Sequence, residues 1–475
     1  MNRSSLFLRH KRWVLIAGIL GVVGISWIVF KLVRREEPLP TMAEVMALAA
    51  TEPVDIIVGP NVQVSTPNGT EGHREVVAAA DPTDPKKLVA AAMALQPGDR
   101  WAVVGYRSED GGATWLPSFR REDPAQTQMD PAFAFGPDGV LHFVVMTRPW
   151  PDPASGPLMV DFKFYRSLDA GKSWEAGGVI VGSRTHTAGI DIDRPFLATD
   201  RTNGPFRGRL YSASSFYNFH ESDDRGRTFH GQKFEAPQHN VTSQTSSPVV
   251  LSDGTVVFSY LDWRQDHREV TALSVMASED GGKTLRNQGR VIARWQDASR
   301  MTGNFWFNPV MAADAKDRLF AVWEDGNGPG RERLLFARSN DKGRTWTRPV
   351  ILSEQPADGT GGYSAVMPAI AVNKDGVVGV SWYDRRGLPD VDRSNRFNDN
   401  RGVGCNVRLR VSLDGGSTWQ PSVQTNDSPI KAKVWDLRDT AGLAADADGA
   451  FHPFWIDDRT GILQVWTAAV TVGRK

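Results

Sequence analysis

The chain has 475 residues, of which 55 are Lys or Arg and 55 are Asp or Glu, so its formal net charge is zero. This balance provides no overall field that would attract nucleic acid, and we expect no nucleic-acid partner. A single cysteine, Cys405, excludes an internal disulfide framework. The 45 Gly and 29 Pro, without low-complexity repeats, are typical of many short strands joined by tight turns.

An apolar segment near the N-terminus predicts a membrane anchor. Residues Trp13–Phe30 carry no charge, and the run continues to Val33 apart from Lys31. At about 1.5 Å per residue, a helix over 13–33 is long enough to cross a hydrocarbon core of about 30 Å. Four basic residues precede the segment and three follow it, which favours a cytoplasmic N-terminus. We therefore expect a cytoplasmic tail (1–12), a single-pass anchor and an extracytoplasmic remainder, with a cleaved signal peptide as the alternative.

A predicted stalk, 34–53, precedes a region in which one turn motif recurs six times. Its pattern is Ser-x-Asp-x-Gly-x-Thr/Ser followed by an aromatic residue, with Leu in the aromatic position of the fourth copy. The copies are Ser108–Trp115, Ser167–Trp174, Ser222–Phe229, Ser278–Leu285, Ser339–Trp346 and Ser412–Trp419. Their first serines are separated by 59, 55, 56, 61 and 73 residues, and this regular spacing indicates a structural repeat.

The motif has the chemistry of a tight turn. A short carboxylate accepts hydrogen bonds from nearby backbone N–H groups, and glycine allows the positive φ that a reversal of the chain requires. The Ser and Thr hydroxyls satisfy further backbone groups. We therefore interpret each copy as a hairpin loop between two strands. Six catalytic aspartates are the poorer interpretation, because catalysis needs unlike groups at one point.

A second repeat lies between these turns and consists of an apolar strand, usually headed by Pro, an Asp-Gly-like turn and another apolar strand. It occurs at Arg74–Met93, Asp130–Met146, Arg194–Ser214, Ser247–Trp263, Asn308–Asp325, Met367–Asp384 and Gly442–Asp458. Each unit predicts a four-stranded sheet, and the seventh lacks its last strand, which Asp55–Val64 can supply. The sequence thus predicts an all-β propeller over 54–475 with seven four-stranded blades and no open sheet edge. A six-bladed ring is the alternative.

The six turn motifs resemble the Asp-box, or BNR, repeats of the sialidase-like superfamily, and the resemblance covers roughly residues 54–475. It implies that the Asp boxes lie on the face opposite the ligand site. In sialidases it further implies an arginine triad for the sugar carboxylate, an Asp acid/base and a Tyr nucleophile paired with Glu. The first sialidase arginine usually stands in a Phe/Tyr-Arg-Ile/Leu-Pro motif, whereas this chain has EGHRE at 71–75. Seven blades also differ from the usual sialidase ring.

The candidate ligand-binding residues are arginines on the face that the resemblance assigns to the ligand. Arg194 opens a first strand, and Arg74 stands at the entrance of the first blade. The others follow second strands: Arg148, Arg264, Arg385, Arg386 and Arg459. Several guanidinium groups at one rim would form an anion-binding site, because each can donate paired hydrogen bonds to a carboxylate. The alternative is that each arginine is solvated and paired with a neighbouring Asp.

The candidate proton-transfer groups are Asp193, beside Arg194, and Glu75, at the first-blade entrance. Tyr383 is the candidate nucleophile, with Asp384 beside it. Asp384 also belongs to a repeated Trp/Tyr-x-Asp pattern at strand exits, which can instead pack its aromatic between blades and use its Asp to cap the following loop. The nine His residues show no zinc spacing, so we expect neither metal nor cofactor.

The sequence therefore predicts a membrane-anchored extracytoplasmic propeller that binds a glycan or another anionic saccharide, with exo-sialidase-like hydrolysis left open. The alternative is a non-catalytic scaffold or receptor that recognises a protein partner. These two hypotheses differ in whether Arg194, Arg264 and Arg385 converge with a carboxylate in one cavity. The long loop Arg385–Asn406 in the sixth blade is where specificity would reside.

Overall fold

The structure, a computed structural model, describes residues 46–152, 158–185, 189–190, 192–215, 218–233, 244–264, 269–286, 290–294, 309–326, 332–354, 364–386, 388, 403–437 and 440–473. The chain divides into two units, Met1–Thr41 and Met42–Lys475, and every described residue belongs to the second. The predicted tail and anchor lie outside the described residues. Within the part of the chain that is described, no helix has the length and apolar character needed to cross a membrane.

The described residues form seven antiparallel sheets, which are the blades of a propeller. Two short strands, β1 (Asp55–Val58) and β2 (Val62–Gln63), precede blade one. Blade one contains β3 (His73–Ala80), β4 (Leu88–Gln96), β5 (Arg100–Ser108) and β6 (Leu116–Arg120). Blade two contains β7 (Gln126–Phe135), β8 (Leu141–Pro149), β9 (Leu158–Ser167), β10 (Glu175–Thr185) and the short β11 (Gly189–Ile190). Blade three contains β12 (Asp193–Thr199), β13 (Leu210–Ser215), β14 (Asn218–Ser222) and β15 (His230–Lys233).

The remaining blades follow the same order. Blade four contains β16 (Val249–Val250), β17 (Val256–Arg264), β18 (Glu269–Ser278) and β19 (Val291–Arg294). Blade five contains β20 (Val310–Ala313), β21 (Leu319–Gly326), β22 (Glu332–Ser339) and β23 (Val350–Ile351). Blade six contains β24 (Ala365–Val372), β25 (Val378–Asp384), β26 (Val403–Ser412), β27 (Val423–Gln424) and β28 (Ile430–Lys433), which pairs with β26. Blade seven contains β29 (Gly442–Ala445), β30 (Phe451–Asp457), β31 (Gln464–Thr467) and β32 (Val470–Gly473), and two short 3-10 helices lie at Thr66–Asn68 and Val434–Leu437.

Blade seven is completed by the N-terminal strands. Its third strand is divided into β31 and β32, and β1 pairs with β32 while β2 pairs with β31. In this antiparallel register Asp55 lies opposite Gly473, and Gln63 lies opposite Trp466. The prediction that Asp55–Val64 supplies the missing strand is therefore confirmed. The seven-bladed ring is confirmed as well, and the six-bladed alternative is wrong.

The segment before β1 also lies against the propeller. Met46 forms a parallel bridge with Ile351 of blade five, and Ala49 forms one with Trp419 of blade six. Trp419 is the last residue of the sixth Asp box, so the segment reaches the ring at the face that carries the boxes. Residues 46–50, which the sequence assigns to the stalk, thus contact two blades before the chain reaches blade seven.

The hydrophobic cores lie between consecutive sheets. Between blades five and six, Phe320 and Phe336 pack with Trp382 and Trp419, and all four side chains are fully buried. Comparable clusters fill the other interfaces between blades, and one of them spans the junction of blades six, seven and one. Each large apolar side chain buried in this way contributes about 1.5–3 kcal/mol, so each blade depends on both of its neighbours for stability.

Each Asp box closes its turn with the same hydrogen bonds. In the first box, the Ser108 hydroxyl accepts a bond of 2.8 Å from the Gly112 amide and donates one of 2.8 Å to Asp110. Asp110 also accepts from the Thr114 amide and hydroxyl at 2.9 and 2.6 Å. The φ of Gly112 is 89°, a value that glycine adopts readily. The interpretation of the boxes as scaffold turns is confirmed.

We predict that Asp224→Ala, in the third box, lowers the melting temperature at pH 7 by roughly 1–3 °C, because it removes the acceptor for the Ser222 and Thr228 groups. Burial raises the pKa of Asp224, but hydrogen bonds from Thr228 and Ser222 outweigh burial and hold the pKa at about 2. A depressed carboxyl pKa stabilises the fold above the unfolded value of about 3.9, and this stabilisation is lost as the pH falls toward 2.

The difference between wild type and Asp224→Ala, followed by thermal unfolding, should therefore shrink as the pH is lowered from neutral to about 3. Asp223→Ala is the control, since this neighbouring side chain is exposed. An equal effect of the two substitutions would contradict the assigned role of the box aspartate.

We also predict that Val64→Asp destabilises the propeller strongly, by about 3 kcal/mol or more, because it buries a carboxylate where the N-terminal segment completes blade seven. Val64 is fully buried and its amide donates to the carbonyl of Val465 at 2.8 Å. Ile57→Asp in the same segment is the control, because Ile57 is 63% exposed. Urea unfolding measures both. Comparable stability of the two variants would show that the seam, the pairing of the N-terminal segment with blade seven, does not hold the ring together.

Candidate functional site

The two faces of the propeller are distinguished by the Asp boxes. In blade one the amide of Gly111, inside the box, donates a hydrogen bond of 3.0 Å to the carbonyl of Lys86, in the turn between the first and second strands. The opposite face therefore carries the starts of the first strands and the loops between second and third strands. This is the face on which the sequence places its candidate residues.

Four first strands carry a bulge close to their start on this face. The residues in the bulges are Glu75, Asp130, Arg194 and Met367, and their φ angles lie between 48° and 54°. Positive φ is uncommon for residues with a side chain and costs on the order of 1–3 kcal/mol at each position. Because such strain persists mainly at binding and catalytic sites, the bulges mark the candidate site.

Three of these bulges are in the neighbouring blades one, two and three, in which β7 contacts both β3 and β12. Glu75 and Arg194 are each 7% exposed, and Asp193, beside Arg194, is 5% exposed. The structure thus brings the predicted residues Glu75, Asp193 and Arg194 to one side of the ring. We refer to these three residues, which lie in largely buried surroundings, as the bulge site.

Asp130 belongs to the bulge site but was not predicted. It is half-buried and has the same backbone conformation as Glu75 and Arg194. The sequence carries a signal for it, because Asp130 precedes a proline just as Arg194 and Met367 do. A pattern of apolar alternation does not reveal the bulge, since a register shift becomes visible only when the partner strand is known.

Two other residues at the entrance of blade one, His73 and Arg74, are engaged by contacts with neighbouring side chains. His73 is fully buried, and its Nε2 lies 2.6 Å from the Tyr106 hydroxyl. Burial lowers the pKa of His73 to about 4, so the imidazole is neutral at pH 7. Arg74 lies 3.4 Å from Asp436 and 5.3 Å above the ring of Trp101. Arg74 is therefore paired across the junction with the loop before blade seven.

Asp384 is held by its own blade. Its carboxylate accepts a hydrogen bond of 2.7 Å from the indole of Trp382, and three of 2.7–2.9 Å from the amide and guanidinium group of Arg386. Arg386 also forms an ion pair of 2.7 Å with Glu354 at the end of blade five. This arrangement is the loop cap that the sequence offers as the alternative to a catalytic role for Asp384.

Blade seven repeats this arrangement. Asp457 accepts from the Trp455 indole at 3.3 Å and from the amide and guanidinium group of Arg459 at 2.6–2.9 Å. Arg459 also forms an ion pair with Asp427, at the end of blade six, and lies 4.3 Å from the ring centre of Trp466. The predicted ligand-binding residue Arg459 thus links blade six to the closing seam.

Tyr383 lies in the core between blades six and seven. It is 1% exposed, and its hydroxyl accepts a hydrogen bond of 2.8 Å from the amide of Ile456. Burial raises the pKa of the Tyr383 hydroxyl far above its usual range. A nucleophilic phenol needs the opposite shift and access to the ligand, so the geometry favours a structural role for Tyr383.

The remaining predicted arginines are dispersed. Arg148 forms an ion pair with Asp152 and lies 5.9 Å from the ring centre of Trp150. Arg385 is 3% exposed and donates to the carbonyl of Gly404 at 2.5 Å. The side chain of Arg264 lies outside the described residues. So do positions 389–402 of the long loop in blade six.

The described residues contain no group of three or more His, Cys, Asp or Glu side chains that could hold a metal ion. Cys405 is buried in the core of blade six, and burial raises the pKa of its thiol. The chemistry available at the bulge site is therefore that of carboxylates and a guanidinium group, which bind hydroxyls and anions.

Comparison with known proteins identifies the fold. The model of the BNR repeat-like domain matches residues 86–380, whereas no curated protein matches the chain. A Dyadobacter fermentans protein of unknown function is similar, with 13% identity, a TM-score of 0.51 and coverage of 88% of this chain and 99% of that chain. A Trypanosoma rangeli sialidase in complex with sialic acid has 12% identity, a TM-score of 0.45 and coverage of 91% and 58%. Penicillium chrysogenum α-L-arabinanase complexed with arabinobiose has 14% identity, a TM-score of 0.46 and coverage of 87% and 98%.

We predict that Tyr383→Phe destabilises the protein by about 1–2 kcal/mol, because the amide of Ile456 loses its acceptor in the core. Any ligand binding at the bulge site should not change. Urea unfolding and a binding titration of the same preparation measure the two effects. The role of Tyr383 would have to be reassigned if the variant kept its stability and lost binding or turnover.

Proposed function

Because the chain belongs to the BNR repeat-like domain family, we propose that it is a propeller that binds an anionic saccharide at the bulge site of blades one to three. The ligand enters from the face opposite the Asp boxes. The observation that carries this proposal is the positive φ shared by Glu75, Asp130 and Arg194 at equivalent places in three neighbouring blades.

The side chains of the bulge site suit this class of ligand. A guanidinium group donates paired, charge-assisted hydrogen bonds to a carboxylate, which makes Arg194 the contact for the acidic group. Carboxylates such as Glu75 and Asp130 accept hydrogen bonds from sugar hydroxyls. A site that combines both signs favours a ligand with an acid and several hydroxyls over a simple anion.

We propose binding as the primary activity, because the groups needed for sialidase-type turnover are engaged elsewhere. Arg148 and Arg459 form ion pairs with aspartates of their own blades. The hydroxyl of Tyr383 is occupied in the core. Hydrolysis at the bulge site would instead require a pair of carboxylates, one as acid and one as base or nucleophile. Glu75 and Asp193 are the residues for those roles.

The proposed location rests on the sequence alone. We propose that residues 13–33 anchor the protein in a membrane and that the propeller lies on the extracytoplasmic side, where glycans of the cell surface or surroundings are accessible. Four basic residues before the apolar segment and three after it support this orientation.

The test is saccharide binding by the full chain, first on a glycan array and then by calorimetry with the best ligand. Arg194→Lys should weaken binding by about tenfold or more, because lysine keeps the charge but loses the paired hydrogen bonds. Arg344→Lys is the control, since Arg344 is exposed on the Asp-box face. Unchanged affinity of Arg194→Lys would remove the bulge site as the binding site.

Two further results would redirect the proposal. Turnover of a bound saccharide that disappears in Glu75→Gln would make the bulge site a hydrolase site. Failure of the full chain to bind any saccharide would favour a scaffold for a protein partner. The pairing of Arg148 and Arg459 within their own blades is in keeping with that function.

A further inference from the structure

The third strand of blade six carries arginines where its neighbours carry apolar residues. In each of these blades, one residue of the third strand pairs with the Trp of the Trp-x-Asp pattern on the second strand. This residue is Leu335 in blade five and Trp466 in blade seven, but it is Arg408 in blade six. Two positions further along, blade five has the fully buried Ala337, whereas blade six has Arg410, which is 4% exposed. Burial of a guanidinium group costs free energy unless the charge is paired, so these two substitutions require a compensating partner.

Within the described part of the chain, the hydrogen-bond acceptors of the two arginines are neutral groups, and their one ion pair is the long contact of 3.9 Å between Arg410 and Glu354. Arg410 donates hydrogen bonds of 2.8 and 2.6 Å to the carbonyls of Gln420 and Leu352. Arg408 donates bonds of 2.8 and 2.6 Å to the hydroxyl and carbonyl of Ser422. These contacts satisfy N–H groups but do not neutralise the charges.

Two carboxylates lie in the same groove between blades five and six, and both are engaged by Arg386. Asp384 is 2.7 Å from Arg386. Glu354 accepts bonds of 2.7 Å from Arg386 and 2.9 Å from the Ser422 amide, and lies 3.9 Å from Arg410. Burial raises the pKa of Glu354, but hydrogen bonds from Ser422 and Arg386 lower it to about 2, so this carboxylate is ionised at pH 7.

Among the described residues of the groove, three guanidinium groups thus face two carboxylates. These five described groups together carry one excess positive charge. Arg408, Arg386 and Glu354 are each partly exposed, so the groove opens to solvent. Burial lowers the pKa of both Arg408 and Arg410, because a buried guanidinium group is poorly solvated. An anion beside Arg408 would balance the excess charge.

We propose that this groove binds an oxyanion, either a sulfate ester or a carboxylate, carried by an extended acidic saccharide. Arg408 is the main contact and Arg386 lies beside it. The inference rests on the proposed function for the nature of the ligand, but the groove lies in blades five and six and the bulge site in blades one to three. The ligand class is therefore a polyanionic chain recognised at two points of the ring, rather than a single acidic sugar.

Arg408→Leu in the full chain tests the groove, and the variant should fold because blade five has Leu335 at the equivalent position. Calorimetry with sulfated, carboxylated and neutral hexasaccharides should show affinity reduced roughly tenfold or more for the acidic probes only. Arg344→Leu, an exposed arginine of the Asp-box face, should behave as wild type. A preference between the two acidic probes identifies which oxyanion the groove takes.

A second readout separates this inference from the proposed function. Inorganic sulfate at low millimolar concentration, compared with chloride at equal ionic strength, should raise the melting temperature of wild type more than that of Arg408→Leu. This result would support the groove even if no saccharide bound. The inference is overturned if Arg408→Leu matches wild type in both the sulfate and the saccharide measurements. Binding that then still depends on Arg194 would leave the proposed function intact.

Discussion

Pairing of the N-terminal strands with blade seven is the constraint on which the rest of the ring depends. A blade that lacks its fourth strand would expose backbone N–H and C=O groups along one edge and apolar side chains on its faces. β1 and β2 cover that edge and deliver Val64 into the core that blade seven shares with blades six and one. Each interface between blades is formed by the apolar side chains of two sheets. An open seam would therefore weaken the packing of blade seven against blades six and one, and then that of the next blades.

The interfaces between blades are apolar with few exceptions, and those exceptions identify where the propeller is specialised. The bulge site concentrates strained charged residues in blades one to three. The groove between blades five and six replaces apolar positions by Arg408 and Arg410. Elsewhere the same framework uses paired charges to cap loops, as Asp384 and Asp457 do. Charged residues thus serve the scaffold where they cap loops within a blade or join adjoining blades, and the bulge site and the groove are the places where we propose that they serve recognition.

The fold could be predicted from the sequence because its determinants are local. Turn chemistry, the spacing of the boxes and the count of seven units against six boxes are visible without knowledge of distant contacts. Asp55–Val64 was then the apolar segment that could supply the missing strand of the last unit. The sequence also distinguishes the two faces of the ring, since a box between third and fourth strands marks one of them.

Individual site residues were harder to predict, because a side chain's partner is set by other blades. Arg459 follows a second strand as predicted, yet its ion pair with Asp427 depends on the end of blade six. Asp130 enters the bulge site through a register shift against its neighbouring strand. Arg408 alternates with apolar residues along its strand, and the sequence does not reveal its contacts with Ser422, which in turn contacts Glu354 of blade five. Such contacts are properties of neighbouring sheets and not of one strand.

The seam also makes the two ends of the propeller neighbours. Asp55 lies directly opposite Gly473, although 418 positions separate them in the chain. The backbone could therefore be joined there by a short linker and opened at one of the exposed Asp-box turns without loss of any strand pair. In such a circular permutant the closing strand would become an ordinary internal strand, and the seam would move to the blade in which the chain was opened.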